Sequence, residues 1–460
     1  MKLFKDKYFY KTFFSLSSVI ILQNLITHSV SLADNIMIGK YGEVAMSGVS
    51  LANQLQFLLT MFAMGASNGV GVLAAQYWGK GDTKPIKKIF TSAAIIGTVI
   101  SALLGLAVIV FPETVLGLLT DKTSEIAEGS KYIVIMGFSY CIFTLTQLFL
   151  SMLRSVETVK IGFVVNSVSL VVNISLNYML IFGNFGCPRL GVQGAAIATL
   201  IARYVEFLIV VIYVFRIDKK IGMKLRDLFM LDKSYIKDYI KTGLPLIGSA
   251  TSWGIAMGIQ AAILGRIDSP AVLGANSIAT AVCQLVSVLY SSTSNASSVI
   301  IGKTVGEKDI PRVKLYAKRL QIIFLGIGAV SGLIMFLGCN SIVSLYNVAD
   351  ETQALAKTFI YILSVTIIGS CYEAPALCGI VSGGGDTKFV LINDLIFMWG
   401  IVLPLSALSA FVWCLPVPVT FFFLKSDQIL KCFVAVVKVN RFKWIKEDRK
   451  STRLNSSHVT

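Results

Sequence analysis

The chain contains an internal repeat. Residues 34–90 resemble residues 260–317 when one stretch is shifted by 226 or 227 positions along the other. Five identical pairs mark the repeat: Gly39 with Gly265, Gly48 with Gly274, Asn68 with Asn295, Gly79 with Gly306, and Asp82 with Asp309. Both copies are apolar. Duplicated sets of apolar segments are typical of membrane transporters in which two similar helix bundles face a central cavity.

The composition places the repeat in a membrane. Hydrophobic residues make up 55% of the chain and charged residues only 14%, whereas about a quarter of the residues in soluble domains are charged. A helix that crosses a bilayer needs roughly 20 apolar residues. The sequence predicts twelve such spans, near residues 13–36, 50–78, 89–111, 132–153, 161–182, 192–215, 242–265, 271–301, 320–340, 358–381, 389–413 and 415–437.

These spans predict an all-α integral membrane protein with two pseudo-symmetric six-helix bundles. The predicted divisions are an N-terminal lobe at 1–215, a cytoplasmic linker at 216–241, a C-terminal lobe at 242–440 and a cytoplasmic tail at 441–460. The last ten residues, STRLNSSHVT, differ in composition from the rest and resemble a non-native scar. A disordered cytoplasmic tail is the alternative interpretation.

The distribution of basic residues predicts the topology. Cytoplasmic loops hold Lys and Arg in excess, and a cytoplasmic N-terminus leaves few of the 41 basic residues in outer loops: Lys40, Lys122, Lys131, Arg189, Arg266 and Lys357. Both termini are then cytoplasmic. The net charge of +16 is explained by basic loops that face anionic lipid headgroups, so no nucleic-acid partner is needed.

Other features of the sequence predict no cofactor. The eight cysteines form no CxxC pair and have no neighbouring His, so neither a metal site nor a disulfide is expected. Gly383, Gly384 and Gly385 lack the GK[ST] ending of a phosphate-binding loop and predict a tight turn. Residues 13–36 are interpreted as the first span, because they are too long and too polar at their end for a cleavable signal.

Ionisable residues inside a span are costly and indicate function. Asp34 lies in the outer part of the first span, and His28 precedes it by six residues. In the fifth span Asn166, Asn173 and Asn177 are separated by seven and four residues, which places them on one helix face. This stripe is interpreted either as packing between helices or as a set of neutral oxygen ligands for a cation beside Asp34.

Other charged residues fall in later spans. Arg203 and Glu206 are three residues apart and are expected to form a buried ion pair. Glu373 has no basic residue within one turn and is interpreted as a proton carrier or as a partner for a polar group on another helix. Three charges in the twelfth span, at Lys425, Asp427 and Lys431, indicate a break between a short span and a cytoplasmic amphipathic helix.

Small residues mark the second and eighth spans. Residues 64–69 (MGASNG) and 291–296 (SSTSNA) are small or polar, which allows helices to approach each other closely in lipid. We expect close helix contacts there, with cavity lining as the alternative role.

Four segments together resemble the multidrug and toxic compound extrusion (MATE) transporters of the bacterial type, and the resemblance extends to about residue 445. They are 33–39 (ADNIMIG), 76–82 (QYWGKGD), 173–183 (NISLNYMLIFG) and 191–199 (GVQGAAIAT). The resemblance implies two six-helix lobes that export cationic or amphipathic small molecules in exchange for inward Na⁺ or H⁺. It also implies a monomer in the bacterial cytoplasmic membrane.

By the same resemblance, the coupling cation binds in the N-terminal lobe at Asp34, Asn173, Asn177 and Thr199. Relatives with a sodium site often have a second carboxylate at the position of Asn177. A possible second site for a proton, cation or substrate in the C-terminal lobe includes Glu373 and Gln260, but the expected acid of the seventh span falls near the neutral Ser252. The candidates for lining the substrate cavity are His28, Gln54, Asn68, Gln284 and Asn295.

Three alternative functions follow from the sequence. A flippase of the same superfamily, which moves a lipid-linked saccharide, needs a strongly basic cavity, whereas Arg203 lies beside Glu206. An enzyme needs a nucleophile and base or a metal cluster, and the chain has only two His residues. A channel or receptor is the third alternative, but unpaired acids inside the bundles favour coupled transport.

Overall fold

The computed structural model describes residues 6–267, 270–346 and 348–446. The predicted scar at 451–460 lies outside these residues. Helices account for all the regular structure of the described part, in which no strand occurs. The first half of the chain forms α1 (Lys7–Tyr41), α2 (Glu43–Gly79), α3 (Lys84–Val110), α4 (Pro112–Gly117), α5 (Thr123–Gly137), α6 (Tyr140–Ser155), α7 (Lys160–Phe182) and α8 (Val192–Ile212).

The second half repeats the long helices but contains more irregular segments. It forms α9 (Lys233–Gly265), α10 (Pro270–Gly306), α11 (Ile310–Ser344), α12 (Asp350–Ala374), α13 (Thr387–Asp394), α14 (Leu403–Ala407), α15 (Val417–Leu424) and α16 (Asp427–Asn440). Stretches of π-helix follow α8, α12, α13 and α14, at Tyr213–Ile217, Pro375–Val381, Leu395–Val402 and Leu408–Val412. The repeat-related helices α2 and α10 each contain 37 residues.

The described helices include ten that are long and apolar enough to cross a membrane. The helices α5 and α6, which meet at a bend of 52°, form an eleventh span if the two are counted as one. The predicted twelfth span, at 415–437, is divided into α15 and α16 by a break at Lys425 and Ser426. The predicted break is present, and Asp427 and Lys431 on its C-terminal side are buried.

Backbone contacts divide the chain into two compact units. The unit that we term the N-terminal unit consists of Phe14–Ala74 and Thr83–Gly258. The C-terminal unit consists of the described residues within Met1–Phe13, Ala75–Asp82 and Ile259–Thr460. The lobe boundaries given above remain predictions.

In the N-terminal unit, α2 lies directly against α9. A Cβ atom added to Gly65 would lie 2.7 Å from the carbonyl oxygen of Leu246, and one added to Gly69 would lie 2.7 Å from the Cα of Gly243. The buried Tyr239 donates a 3.0 Å hydrogen bond to the carbonyl oxygen of Ala66. Residues 64–69 therefore provide the close helix contact that their small side chains predicted.

In the C-terminal unit, the start of α1 contacts α11. Asp6 accepts hydrogen bonds from the Arg319 guanidinium at 3.1 Å and the Tyr316 hydroxyl at 3.2 Å. The ring of Phe9 lies 4.5 Å from that of Tyr316. In the same unit, the buried Trp444 covers Gly384 in the predicted glycine turn, where Gly385 adopts a φ of 97°. The start of α1 and the segment that follows α16 therefore both pack against the C-terminal unit through buried side chains.

Candidate functional site

Asp34 is on α1, and its side chain faces α7 in the N-terminal unit. It precedes the end of α1 at Tyr41 by seven residues, or about 10 Å along the helix, and its side chain is half-buried. The Nδ2 atom of Asn177 on α7 donates a short hydrogen bond to its Oδ1 atom. Asn173, one turn earlier on α7, also interacts with this carboxylate. The acid therefore lies in a polar pocket.

The amide groups of α7 form a chain of hydrogen bonds that leads away from the carboxylate. Asn177 Nδ2 donates its second hydrogen bond to Asn173 Oδ1 at 3.2 Å, and Asn173 Nδ2 donates to Thr199 Oγ1 at 3.2 Å. Both asparagines are fully buried. The four residues that the resemblance assigned to a cation site are thus adjacent in the structure, on α1, α7 and α8.

One acceptor in this series of hydrogen bonds has no donor among the described residues. The Oδ1 atom of Asn177 is buried, and no described residue donates a hydrogen bond to it. An unsatisfied buried polar atom costs about 1–3 kcal/mol, so such atoms in a folded protein need an explanation. A cation or a donor group that enters the pocket would satisfy this oxygen.

Two further groups surround the site. The phenol of Tyr132 on α5 is buried and hydrogen-bonds with Thr199, near enough to Asp34 for the two to interact electrostatically. Arg203 on α8 forms the predicted ion pair with Glu206, with 3.0 Å between Nη1 and Oε2. The guanidinium also lies 4.5 Å from the ring centroid of Phe143. Because Arg203 and Glu206 neutralise each other, Asp34 gives the pocket one net negative charge.

The third asparagine of the stripe contacts α1 at another level. Asn166 Nδ2 donates hydrogen bonds to Thr27 Oγ1 at 2.8 Å and to the carbonyl oxygen of Gln23 at 3.2 Å. The stripe on α7 therefore contacts α1 at two levels, at Thr27 and at Asp34, which are about two helical turns apart. Since only Asn173 and Asn177 reach Asp34, Asn166 holds the helices together and is not part of the site.

The turn between α7 and α8 aligns Thr199 with the asparagines. Gly183 ends α7 with a φ of 77°, a value that favours glycine. Gly191 begins α8 with a φ of 55°, and a Cβ atom there would collide with the ring of Tyr41 at the end of α1. These two glycines allow the tight connection that returns α8 alongside α7.

The candidates for the cavity lining are distributed over both units. In the N-terminal unit His28 and Gln54 are exposed and Asn68 is half-buried. In the C-terminal unit Gln284 is exposed, and Asn295 is half-buried and bonds to the Ser291 carbonyl oxygen of its own helix. None of the hydrogen bonds of the described residues joins them to Asp34, and their role remains a prediction.

Glu373 and Gln260 have different neighbours in the C-terminal unit. Glu373 is half-buried at the end of α12 and lies within electrostatic reach of Lys431, Asp427 and Asp394. Gln260 is buried, and its amide contacts Met398 Sδ at 3.4 Å and Lys425 Nζ at 3.5 Å. Lys431, on another helix, therefore interacts electrostatically with Glu373, and the sequence alone did not reveal this.

Sequence reasoning missed Tyr132 as a neighbour of Thr199 and Asp394 as a partner of Lys431. Both pairings join residues far apart in the chain. Asp394 carried one usable signal, because it is an ionisable residue inside the apolar span predicted at 389–413. Tyr132 carried none, since a tyrosine near the end of a span is common at membrane interfaces. Within the described residues no group of three His, Cys, Asp or Glu side chains is arranged to hold a metal ion.

A comparison with protein families gives an independent account of the repeat. A family model described as MatE matches the chain twice, at residues 20–179 and at residues 247–408. The chain belongs to the multidrug and toxic compound extrusion family. The two MATE matches start 227 positions apart, which agrees with the offset found in the sequence, so the duplication covers both halves.

Relatives at low identity extend over nearly the whole chain. The chain is 25% identical over 412 residues to the uncharacterized transporter YisQ of Bacillus subtilis, covering 86% of this chain and 87% of YisQ. It is 24% identical to the probable multidrug resistance protein NorM of Streptococcus pneumoniae, over 87% of each chain. It is also 24% identical to the multidrug resistance protein PmpM of Pseudomonas aeruginosa, over 86% of this chain and 83% of PmpM.

Solved MATE structures have the same fold. A MOP superfamily transporter from Pyrococcus furiosus aligns with a TM-score of 0.85 at 16% identity, covering 94% of this chain and 95% of the other. A mutant of the Vibrio cholerae MATE transporter VcmN aligns with a TM-score of 0.84 at 17% identity, covering 94% and 96%. The protein is therefore an all-helical, multi-pass membrane transporter of the MATE family, related to multidrug resistance proteins.

Proposed function

We propose that this MATE protein exports cationic or amphipathic small molecules in exchange for inward Na⁺ or H⁺ by alternating access. The coupling ion binds at Asp34, Asn173, Asn177 and Thr199. The observation that carries the proposal is the half-buried Asp34 carboxylate beside a buried amide oxygen, Asn177 Oδ1, to which no described residue donates a hydrogen bond. The transporter acts as a monomer in the bacterial cytoplasmic membrane and needs no resident cofactor.

The donor set of the pocket fits a small cation. Na⁺, like other hard cations, prefers oxygen ligands, and the pocket offers the Asp34 carboxylate, the Asn177 amide oxygen and the Thr199 hydroxyl. A single positive charge balances the single negative charge of the pocket. A proton on the carboxylate would neutralise the same charge, so both coupling ions are compatible with these residues.

Neutralisation of Asp34 supplies the switch. The charged Asp34 carboxylate accepts a hydrogen bond from the Asn177 amide, and charge-assisted hydrogen bonds are roughly twice as strong as neutral ones. When an ion or proton neutralises Asp34, this bond weakens, and α1 is free to change its contact with α7. One charge moving through 100 mV supplies about 2.3 kcal/mol. For an uncharged amphipathic substrate that free energy supports a gradient of about fifty-fold, since about 1.4 kcal/mol corresponds to a factor of ten. For a monovalent cationic substrate, one-for-one exchange moves no net charge, so the concentration gradient of Na⁺ or H⁺ drives the export.

The proposed topology has twelve spans with both termini in the cytoplasm. Ten apolar helices and the bent α5–α6 pair provide eleven. The helices α15 and α16, of 8 and 14 residues, form the twelfth as a discontinuous span, a feature of many transporters. The excess of Lys and Arg in alternate loops supports this orientation.

A lipid-linked saccharide flippase is the less favoured function. Such a protein needs free bases in its cavity to bind pyrophosphate, whereas Arg203 is held by Glu206 and covers the Phe143 ring. The curated relatives NorM and PmpM are named for multidrug resistance. These two observations favour drug export.

Efflux of a fluorescent organic cation from membrane vesicles tests the proposal. An imposed Na⁺ or pH gradient should drive efflux in the wild type, and Asp34→Asn should reduce it to the level of vesicles that lack the protein. The matched control is Asp121→Asn, because Asp121 is an exposed acid outside the pocket, and its efflux should be unchanged. Gradient-driven efflux that survives Asp34→Asn would contradict the assignment.

A further inference from the structure

The C-terminal unit contains a lysine that is almost completely buried. Lys431 on α16 is 3% exposed. Its Nζ atom lies 2.9 Å from Asp394 Oδ1 and 3.6 Å from Asp427 Oδ2. Glu373 on α12 lies within electrostatic reach of the same ammonium. One tethered cation is therefore shared by carboxylates from α12, α13 and α16.

Helix irregularities converge on this cluster. Glu373 is followed within two residues by the π-helix at Pro375–Val381, and Asp394 directly precedes the π-helix at Leu395–Val402. Asp427 directly follows the break between α15 and α16. Such π-helical insertions occur frequently at functional sites. A lysine at bilayer depth costs about 2.5–3.5 kcal/mol even on the mildest scale, so its placement here requires the carboxylates.

The cluster differs from the Asp34 pocket in the source of its positive charge. Asp34 is bonded to neutral amides, and the nearby Arg203 is paired with Glu206. In the C-terminal unit the ammonium is covalently part of the protein. The other titratable groups near Glu373 are the Tyr290 phenol on α10 and the thiols of Cys378 and Cys432, which supply no positive charge.

We propose that Lys431 is a built-in cation of the C-terminal unit. Its ammonium takes the position between Asp394, Asp427 and Glu373 that a small cation would otherwise take, and it thereby prevents Na⁺ from binding there. Lys431 is a positioning residue, because its ion pair with Asp394 fixes α16 against α13. Exchangeable ion binding is then confined to the Asp34 pocket. If the proposed antiport is correct, one coupling ion enters per transport cycle.

Chemical rescue of Lys431→Ala tests the proposal on the purified full chain. The substitution removes the ammonium and leaves space beside the acids, so Tm should fall. Ethylammonium or Na⁺ should restore most of the lost Tm in this variant, and equal concentrations of choline, which is too large for the space, should not. Lys431→Arg, which keeps the positive charge, should retain a Tm near the wild type and show no rescue.

Matched controls separate the cluster from general salt effects. Lys425→Ala removes the neighbouring lysine, whose Nζ atom lies 3.5 Å from Gln260 Oε1, and its Tm should not respond to ethylammonium. The double variant Lys431→Ala/Asp394→Asn should lose most of the rescue, because one of the attracting charges is gone. A folded Lys431→Ala protein whose Tm responds to neither cation would overturn the proposal.

A second measurement covers the case in which Lys431→Ala does not fold. Asp34→Asn retains Lys431 and removes the acid of the N-terminal pocket. Its Tm should be independent of Na⁺ when the ionic strength is held constant with choline. A Na⁺-dependent rise in Tm would show a second exchangeable site and would overturn the proposal. This outcome is separate from the efflux assay, because it requires no substrate and no transport.

Discussion

Asn177 donates both of its amide hydrogens, to Asp34 and to Asn173, while its own Oδ1 atom receives none from the described residues. The amide therefore holds the carboxylate in place and still presents a free acceptor beside it. The Asp34 carboxylate and this acceptor together define where a cation can bind. The relationship leads to the first prediction.

Asn177→Asp should strengthen Na⁺ binding. The substitution removes the amide donor and places a second carboxylate against Asp34, and two adjacent acids must share a cation or a proton. Tenfold tighter binding adds about 1.4 kcal/mol of stabilisation at saturating Na⁺. We expect a larger Na⁺-dependent rise in Tm than in the wild type, measured at constant ionic strength.

Asn166→Asp is the matched control for this prediction. It introduces the same acid on the same helix, but Asn166 contacts Thr27 and not Asp34. Its Tm should show no added dependence on Na⁺. An equal response of the two variants to Na⁺ would mean that any acid on α7 attracts cations. It would contradict the assignment of a specific cation site at Asp34 and Asn177.

The second prediction concerns two repeat-related glycines in the C-terminal unit. A Cβ atom on Gly79 would overlap the carbonyl oxygen of Lys303, and one on Gly306 would overlap that of Gln76. Gln76 and Lys303 are themselves equivalent in the repeat, so the contact between the ends of α2 and α10 is reciprocal. Because backbone cannot easily move away, Gly79→Ala and Gly306→Ala should each destabilise the protein by about 1–3 kcal/mol.

Thermal unfolding of the purified protein measures this effect. Gly326→Ala on α11 is the control, because a Cβ atom there meets nothing within 4 Å, and alanine favours the helix over glycine. Its Tm should stay the same or rise. Wild-type Tm values for both Gly79→Ala and Gly306→Ala would show that the two helix ends are not in close contact.

The third prediction is a dependence of stability on pH at Asp386, which lies between α12 and α13. Burial raises the pKa of its carboxyl, but hydrogen bonds and charge from Lys438 and Lys446 outweigh burial and lower the pKa below its usual 3.8. Lys438 Nζ lies 2.8 Å from one carboxylate oxygen and Lys446 Nζ 2.5 Å from the other. The C-terminal segment is therefore attached to the glycine turn through one acid.

The pKa of the Asp386 carboxyl is depressed in the folded state. The carboxylate therefore stabilises the protein above its unfolded pKa, and this stabilisation is lost as the pH falls through its folded pKa. Asp386→Asn should thus cost about 1–2 kcal/mol near neutral pH, at the lower end if solvent screens the partly exposed Lys446. The difference from the wild type should vanish well below pH 3.8. Denaturant unfolding at several pH values measures it. A pH-independent difference would exclude the ion pairs as its cause, and the exposed Asp121→Asn should show no difference at any pH.

The sequence predicted much of the candidate site because the relevant signal is local. Residues on one helix face repeat at fixed spacings, so the stripe of asparagines on α7 could be recognised and does face α1. Asp34 was recognisable because an acid in an apolar span is rare. The spacing did not reveal that Asn166 contacts Thr27 and not Asp34. The helix face on which a residue lies does not tell which residue of the neighbouring helix it meets.

The charged cluster of the C-terminal unit shows the opposite case. In the sequence, Lys431 is one of three charges that indicate a helix break, and Glu373 has no basic residue within one turn. The structure brings them together with Asp394 through three helices that are far apart in sequence. Their pairing depends on how irregular helices cross. A π-helical segment changes the side of the helix on which the residues after it lie.

The sequence by itself determined the class of the molecule, the duplication and the identity of the acid in the first helix. These follow from composition and from periods within single helices, because a bilayer requires apolar helices and penalises isolated charges. Only the tertiary structure decided the partner of each buried charge. Asp34 meets neutral amides and Lys431 meets carboxylates because contacts between helices depend on crossing positions, which no local pattern encodes.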